Sequence, residues 1–307
     1  MKLPFIDFMK YRYWLAGLSG TMVFISLVSV ALNQENWGLD FTGGTLVEVV
    51  YDHPSNPEQI RGELTKAGFV GQVVQYFGSD RDIIVRIPPQ KSMSDQANAK
   101  LGDKVFDALQ KATKDTVTMR RTEFVGPVVG AQLVNEGGLG MLTALAVVTI
   151  YVAFRFQLKF ALGALIALFH DVSIILGVFS ITRWDFDLTV LAAILAIIGY
   201  SLNDTIVVQD RIRENFRKMR RAEPVDLINT SLNQTLGRTT MTSFTTLLVV
   251  LALLFVGGDL IRGFALALTI GIVVGTYSSI YIAANIMLML GVSKEDVALP
   301  IKEGADD

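Results

Sequence analysis

Six stretches of this chain are each long and apolar enough to cross a bilayer as a helix. They lie at 13–32, 138–156, 160–181, 188–209, 239–256 and 263–290. A spanning helix needs about 20 apolar residues to cover about 30 Å of hydrocarbon. Lipid gives backbone groups no hydrogen-bond partner, so such stretches satisfy their own amides as helices. The mean hydropathy of +0.45 agrees, since it is too high for an ordinary soluble enzyme. The first stretch could be taken for a signal peptide. Tyr11, Tyr13 and Trp14 anchor it, however, and no small-residue cleavage pattern follows, so a retained signal-anchor is expected.

Short-loop Lys and Arg residues set the expected orientation. On one side lie Lys2, Lys10, Arg12, Arg155, Lys159, Arg211, Arg213, Arg217, Lys218, Arg220, Arg221, Lys294 and Lys302, and on the other only Arg183 and Arg262. Both termini are therefore expected in the cytoplasm. The chain divides into a first span with its cytoplasmic N-terminus (1–32), an outward domain (33–136), spans two to six (137–290) and a cytoplasmic tail (291–307). A basic cytoplasmic loop at 210–237 joins spans four and five. Its first part, DRIRENFRKMRR, suits anionic lipid headgroups, and 226–236 is expected to lie along the membrane surface.

The outward domain reads strand, helix, strand, strand, helix, strand. Strands are expected at 45–51, 72–77, 82–87 and 116–124, with a hairpin turn at Gly78-Ser79-Asp80-Arg81. Helices are expected at 57–67, capped by Asn56, and at 94–112. That order is the ferredoxin-like βαββαβ arrangement. The fold class is thus an α-helical membrane protein with six transmembrane helices and a small α+β domain between the first two. The domain offers no paired catalytic carboxylates and no nucleophile–base pair, so a docking module is expected rather than an enzyme.

Composition removes several chemistries. There is no cysteine, which excludes disulfides, thiolate catalysis and iron–sulfur clusters. The two histidines, His53 and His170, are far apart, so no metal site is expected. No phosphate-binding loop occurs, and a net charge of −2 names no nucleic-acid partner. No cofactor is expected.

What remains is a set of polar residues inside spans. Asp204 is the ionisable residue of the fourth, with Ser201 and Asn203 beside it, and Arg238 opens the fifth. A charge held in lipid costs about 2.5–3.5 kcal/mol on insertion scales, and chains that keep one usually use it for a pump or relay. Spans four and five run antiparallel, so Asp204 and Arg238 come to similar depth. Thr239, Thr240, Thr242, Ser243, Thr245 and Thr246 are expected to form a hydroxyl-lined face near them. The functional reading is a proton site; the alternative is a static ion pair stapling two helices, with Arg238 free to snorkel. His170 and Asp171 in span three are either relay members or a buried hydrogen-bonded pair. Gly271 and Gly275 form a GxxxG pattern, read with Ala267, Ser278 and Ser279 as close helix packing.

Three runs resemble a known family, the SecD and SecF proteins. Gly38-Leu39-Asp40-Phe41-Thr42-Gly43-Gly44 is similar to the motif that follows their first span. GYSLNDTIVVQDRIREN at 199–215 and NTSLNQTLGRT at 229–239 are similar to the SecF fourth helix and the start of its fifth. His170-Asp171 also fits. Gln209 departs from the small or aromatic residue expected there. The resemblance covers essentially the whole chain, and SecD's much larger periplasmic region is missing. It implies a multi-pass protein of the bacterial inner membrane in the resistance–nodulation–division superfamily. It also implies partnership with SecD, the SecYEG channel, the SecA motor and YajC, acting on unfolded preprotein with the proton gradient. Carried over, the helix-four proton-path acid is Asp204 and the helix-five arginine is Arg238. Asn203, Thr239 and Thr242 join His170 and Asp171 as possible secondary relay members. A further essential acid is expected in SecD. Sodium in place of the proton stays open, since a carboxylate among hydroxyls suits either ion.

Two rival functions fit parts of the sequence. A proton-coupled exporter of small or lipidic solutes would carry larger outward domains. A non-transporting translocon scaffold would be indifferent to neutralising Asp204. An intramembrane protease makes only a loose case from His170, Asp171 and Asp204.

Overall fold

The computed structural model describes residues 5–89, 97–98, 100–113, 115–219 and 221–297. Two compact units emerge, one of residues 1–36 with 140–307 and one of residues 37–139.

Among the described residues, six helices are long and apolar enough to cross a membrane. α1 (Arg12–Asn33) follows a short 3-10 turn whose Asp7 side chain accepts from the Lys10 amide. The other five spans begin with α5 (Pro127–Arg155), α6 (Leu158–Thr182), α7 (Leu188–Lys218), α8 (Pro224–Val256) and α9 (Arg262–Ser278). α9 continues through a π-helical turn, Ser279–Ala283, into α10 (Ala284–Met289). Local chemistry marks these ends. Asp187 caps α7 by accepting from the Val190 amide at 2.9 Å, and Pro224 starts α8, where its missing amide loses nothing.

α6, α7 and α9 form the buried centre, while α5 and α8 bury little. The stretch 226–236 was expected on the membrane surface and instead belongs to α8, continuous to Val256. Its apolar side, Leu227, Ile228 and Leu232, is buried. Its polar side is tied down: Asn229 Oδ1 accepts from the Phe8 amide at 2.9 Å, Asn233 Oδ1 from the Ile6 amide at 2.8 Å, and Ser231 from Asn215 at 2.8 Å. These bonds make the stretch a packed part of α8 rather than a separate segment.

The unit of residues 37–139 holds a four-stranded antiparallel sheet with β1 (Gly44–Tyr51), β2 (Val73–Phe77), β3 (Ser79–Ile87) and β4 (Val117–Val125) in the order β2-β3-β1-β4. That is the ferredoxin-like order. α3 (Pro57–Lys66) and α4 (Leu101–Ala112) cover one face, where Val47, Val49, Val85, Leu64, Val105 and Leu109 are at most 1% exposed. Asn56 caps α3 by accepting from the Glu58 amide. The hairpin is tighter than expected, because Gly78 at φ 84° turns the chain alone and β3 starts at Ser79. Residues 94–96 and 99 of the expected second helix lie outside the described residues.

The GLDFTGG motif is the turn into this sheet. α2 (Leu39–Thr42) is one helical turn, followed by Gly43 at φ 66° and Gly44 at φ 119°. A Cβ on Gly44 would strike the Ile87 carbonyl, and one on Gly43 would sit 3.2 Å from Pro127 Cα. Only glycine fits both the torsions and the space.

Candidate functional site

The polar centre of the helical unit forms where α6, α7 and α9 meet. Asp204 on α7 accepts two hydrogen bonds. Thr239 Oγ1 of α8 donates to Oδ1 at 2.7 Å, and Ser279 Oγ donates to Oδ2 at 2.8 Å. Asp171 on α6 is deeper, at 0% exposure. Its Oδ2 accepts from Ser201 Oγ at 2.5 Å and from Ser278 Oγ at 2.8 Å, and its Oδ1 meets His170 Nδ1 at 2.9 Å. Hydrogen bonds to a charged group contribute about 1.5–3 kcal/mol each. Three of them offset much of the penalty for hiding a carboxylate.

Ser278 and Ser279 are consecutive, yet they serve acids on two different helices. Successive residues of a helix point about 100° apart, so one helix placed between two others can address both. The π-helical turn begins at Ser279 itself. Such turns insert one residue and shift the register of everything after it, and they gather at functional sites. Close approach makes the contacts possible. A Cβ on Gly275 would come within 3.1 Å of Ser201 Cβ and 3.5 Å of Asp171 Oδ2. One on Gly271 would overlap the Ile197 side chain. Both glycines are buried on α9 and let it press against α7.

Hydroxyls hold the acid directly, and the Arg238 charge acts on it from a distance rather than as a static ion pair. No ion pair joins Asp204 to Arg238 among the described residues; Arg238 is exposed, and its neighbour Thr239 is the residue that turns inward. The expected hydroxyl face is also smaller. Thr242, Thr245 and Thr246 return their hydroxyls to their own helix, to Arg238, Met241 and Thr242 carbonyls respectively. Among the described residues, Thr239 and Ser243 are the two of these that reach a neighbouring helix, the latter bonding Thr276 at 2.6 Å. Six hydroxyls over eight positions wrap around a helix rather than line one side. Asn203 is exposed and points away from the cluster formed by Ser201 and Asp204.

His170 is 4% exposed, and its Nε2 is buried without a partner among the described residues. Its ring stacks on Tyr277 at a centroid distance of 6.1 Å. Tyr277 OH reaches α1, bonding Ser19 at 2.8 Å and the Leu15 carbonyl at 2.9 Å. Further along the same seam Ser29 bonds Ser180 at 2.9 Å, and Ser26 lies against Gly177. The buried side chains of α1 are these three serines. Gln209 is fully buried and donates to the Phe160 carbonyl at 2.8 Å.

The residues missed from sequence are the serines that hold the acids. Ser278 and Ser279 read as small packing residues beside the GxxxG pattern. Their adjacency in a span that faces two acid-bearing helices is the signal that could have found them.

Comparison with known proteins gives a consistent picture. Residues 104–293 match the family profile described as protein export membrane protein SecD/SecF, C-terminal, and residues 36–55 match the SecD/SecF GG motif. The chain is 49% identical over 303 residues to the protein translocase subunit SecF of Vibrio alginolyticus, covering 98% of this chain and 95% of that one. Identity is 48% to SecF of Pseudomonas aeruginosa, covering 100% and 99%. Among solved structures it is similar to a crystal structure of SecDF from Thermus, a translocon-associated membrane protein. The TM-score is 0.83 and the identity 36%, over 94% of this chain and 39% of that one. A SecDF in a super-membrane-facing form gives a TM-score of 0.68 at 37% identity, again over 39% of the solved chain.

Proposed function

The chain belongs to the SecD/SecF family, in its SecF branch, and from that premise we propose that it is the SecF half of a proton-driven export complex. As a SecF it is a subunit of the protein translocase, a transport component of a multi-pass membrane protein class. The chain matches 39% of the solved SecDF, which leaves room in that structure for a SecD part. SecD is accordingly its partner, and the SecYEG channel with SecA is where the pair acts. Both termini face the cytoplasm and the ferredoxin-like domain faces the periplasm, a reading the distribution of Lys and Arg supports.

The observation that carries this reading is the pair of acids held by consecutive serines at the start of a π-helical turn. Asp204 takes up and releases the proton. When it is protonated, its demand for hydroxyl donors falls, and Ser279 and Thr239 are freed to rebond. Ser278 and Ser279 move together, so a change at Asp204 is felt at Asp171 on another helix. Arg238 is exposed on α8 and is available to a carboxyl of the partner half. Each proton crossing yields about 2.3 kcal/mol per 100 mV, and the helix shifts convert it into changed poses of the outer domain that bias a preprotein outward.

The test is Asp204→Asn in inverted vesicles with the full Sec machinery. Asparagine keeps the shape and stays neutral. Preprotein release that no longer responds to the gradient is expected, with assembly unchanged. Release that still rises with the gradient would remove the proton role from Asp204.

A further inference from the structure

The end of α1 that meets the end of α6 buries a carboxyl that the cycle above does not use. Glu35 lies two residues beyond α1 and is 8% exposed. Both of its carboxyl oxygens are buried without a hydrogen-bond partner among the described residues. The bonds that close this junction all use its neighbours. Arg183 Nη1 donates to the Asn33 carbonyl at 2.7 Å and the Gln34 carbonyl at 3.0 Å. Ser180 Oγ donates to the Gln34 carbonyl at 3.1 Å. Asn36 Nδ2 donates to the Arg183 carbonyl at 3.0 Å and to Asp185 Oδ1 at 2.7 Å. Gln34 at φ 56° and Arg183 at φ 58° are the two non-glycine residues with positive φ among those described. A segment held in two such conformations is over-determined by its surroundings.

Among the described residues, Arg183 is the charged group that acts on Glu35, and Asp185, Asp187 and Arg262 lie on the adjoining elements. Asp185 is engaged by Asn36, Asp187 caps α7, and α9 starts at Arg262 with Gly263 set against Val190. Loss of water outweighs the opposing guanidinium of Arg183, and the Glu35 carboxyl is pushed up to about 7.

We propose that Glu35 is a proton-binding site on the outer side of the helical unit, and that its occupancy sets how tightly α1 is held to α6. The inference rests on the outward orientation argued above, but not on Asp204 carrying protons. A neutral Glu35 fits a site that offers it no donor. An ionised one is a buried charge without a bond. Because the folded value lies above the ordinary carboxyl value of 4.5, the junction is fully stable below that pH and loses stability as pH rises to about 7. An energised membrane is acidic on its outer side, so the junction is tight when the gradient is large and loosens as the gradient runs down. The packed seam of Ser29 with Ser180, Ser26 with Gly177, and Ser19 with Tyr277 leads from there to the His170 ring.

Hydrogen exchange of the full chain in lipid nanodiscs, from pH 5.5 to 8.5 and corrected for intrinsic rates, tests this. Amides of 33–36 and 182–186 are expected to exchange at least about tenfold faster at the alkaline end. The step disappears in Glu35→Gln and persists in Glu35→Asp, which keeps an ionisable group. The same step with and without Glu35→Gln overturns the proposal. If Glu35→Gln does not fold, absence of a step in Glu35→Asp overturns it equally. In sealed vesicles of known orientation the step must follow the pH on the side of the outer domain; a response to the opposite side alone overturns the placement. Asp204→Asn separates the two readings. It keeps the Glu35 step, whatever it does to gradient-driven release.

Discussion

Both compact units bury an apolar core, but the helical unit buries many more polar residues with it. Residues 37–139 bury Val, Ile and Leu, with Thr45, Glu48, Gln72 and Asn98 as the buried polar residues among those described. The helical unit buries nine serines along with His170, Asp171, Thr205, Gln209, Asn229 and Thr239, while Phe154, Phe255 and Val256 stand outside at 89%, 81% and 85% exposure. Water explains the first pattern, because removing apolar area from it is the main drive to fold. Lipid explains the second. An apolar side chain is as comfortable against acyl tails as inside, so hydroxyl bonds and close packing select which faces meet. The sheet-bearing unit is held by what water rejects. The helical unit adds to its apolar core the groups that lipid rejects, bonded to one another across helices.

Substitutions in each interior can break that contrast. Asp171→Ala leaves Ser201, Ser278 and His170 facing a hole and is expected to cost about 3–5 kcal/mol, read as earlier unfolding in detergent. If it unfolds no sooner than a surface variant, the polar interior is not what holds the helices. Ile83→Ala, at 0% exposure in β3, is expected to remove about 2–5 kcal/mol from the sheet-bearing unit and lower its urea midpoint. The helical unit's thermal transition should stay in place. Ser29→Ala, which loses one bond to Ser180, is expected to cost only about 0.6 kcal/mol. A loss several times larger would mean that the serine seam carries more of the α1 attachment than single bonds in membranes usually do.

Much of the architecture could be read in advance. Long apolar runs report their own length, and the Asn56 cap and the alternation of β1 are local signals that need no partner. Asp204 and Thr239 were both named from sequence, and they touch. Arg238 was named with them; its charge acts on Asp204 without a direct ion pair, because the inward position belongs to the next residue. The surface placement of 226–236 failed for a related reason. A polar stretch reads as solvated until its partners are known, and the partners of Asn229 and Asn233 are the backbone amides of residues 8 and 6.

Spacing along the chain was sufficient for the spans, the βαββαβ order and the glycines of the GLDFTGG turn. Hydropathy, propensity and torsional freedom are properties of single residues and short windows. Which acid lies deepest was settled only in three dimensions. Asp171 and Asp204 are thirty-three positions apart on separate helices, and Ser278 and Ser279 bring them into one hydrogen-bonded centre by rotation about a third. Hydrogen bonds depend on distance and angle between elements, and no one-dimensional pattern encodes the angle at which α9 crosses its neighbours.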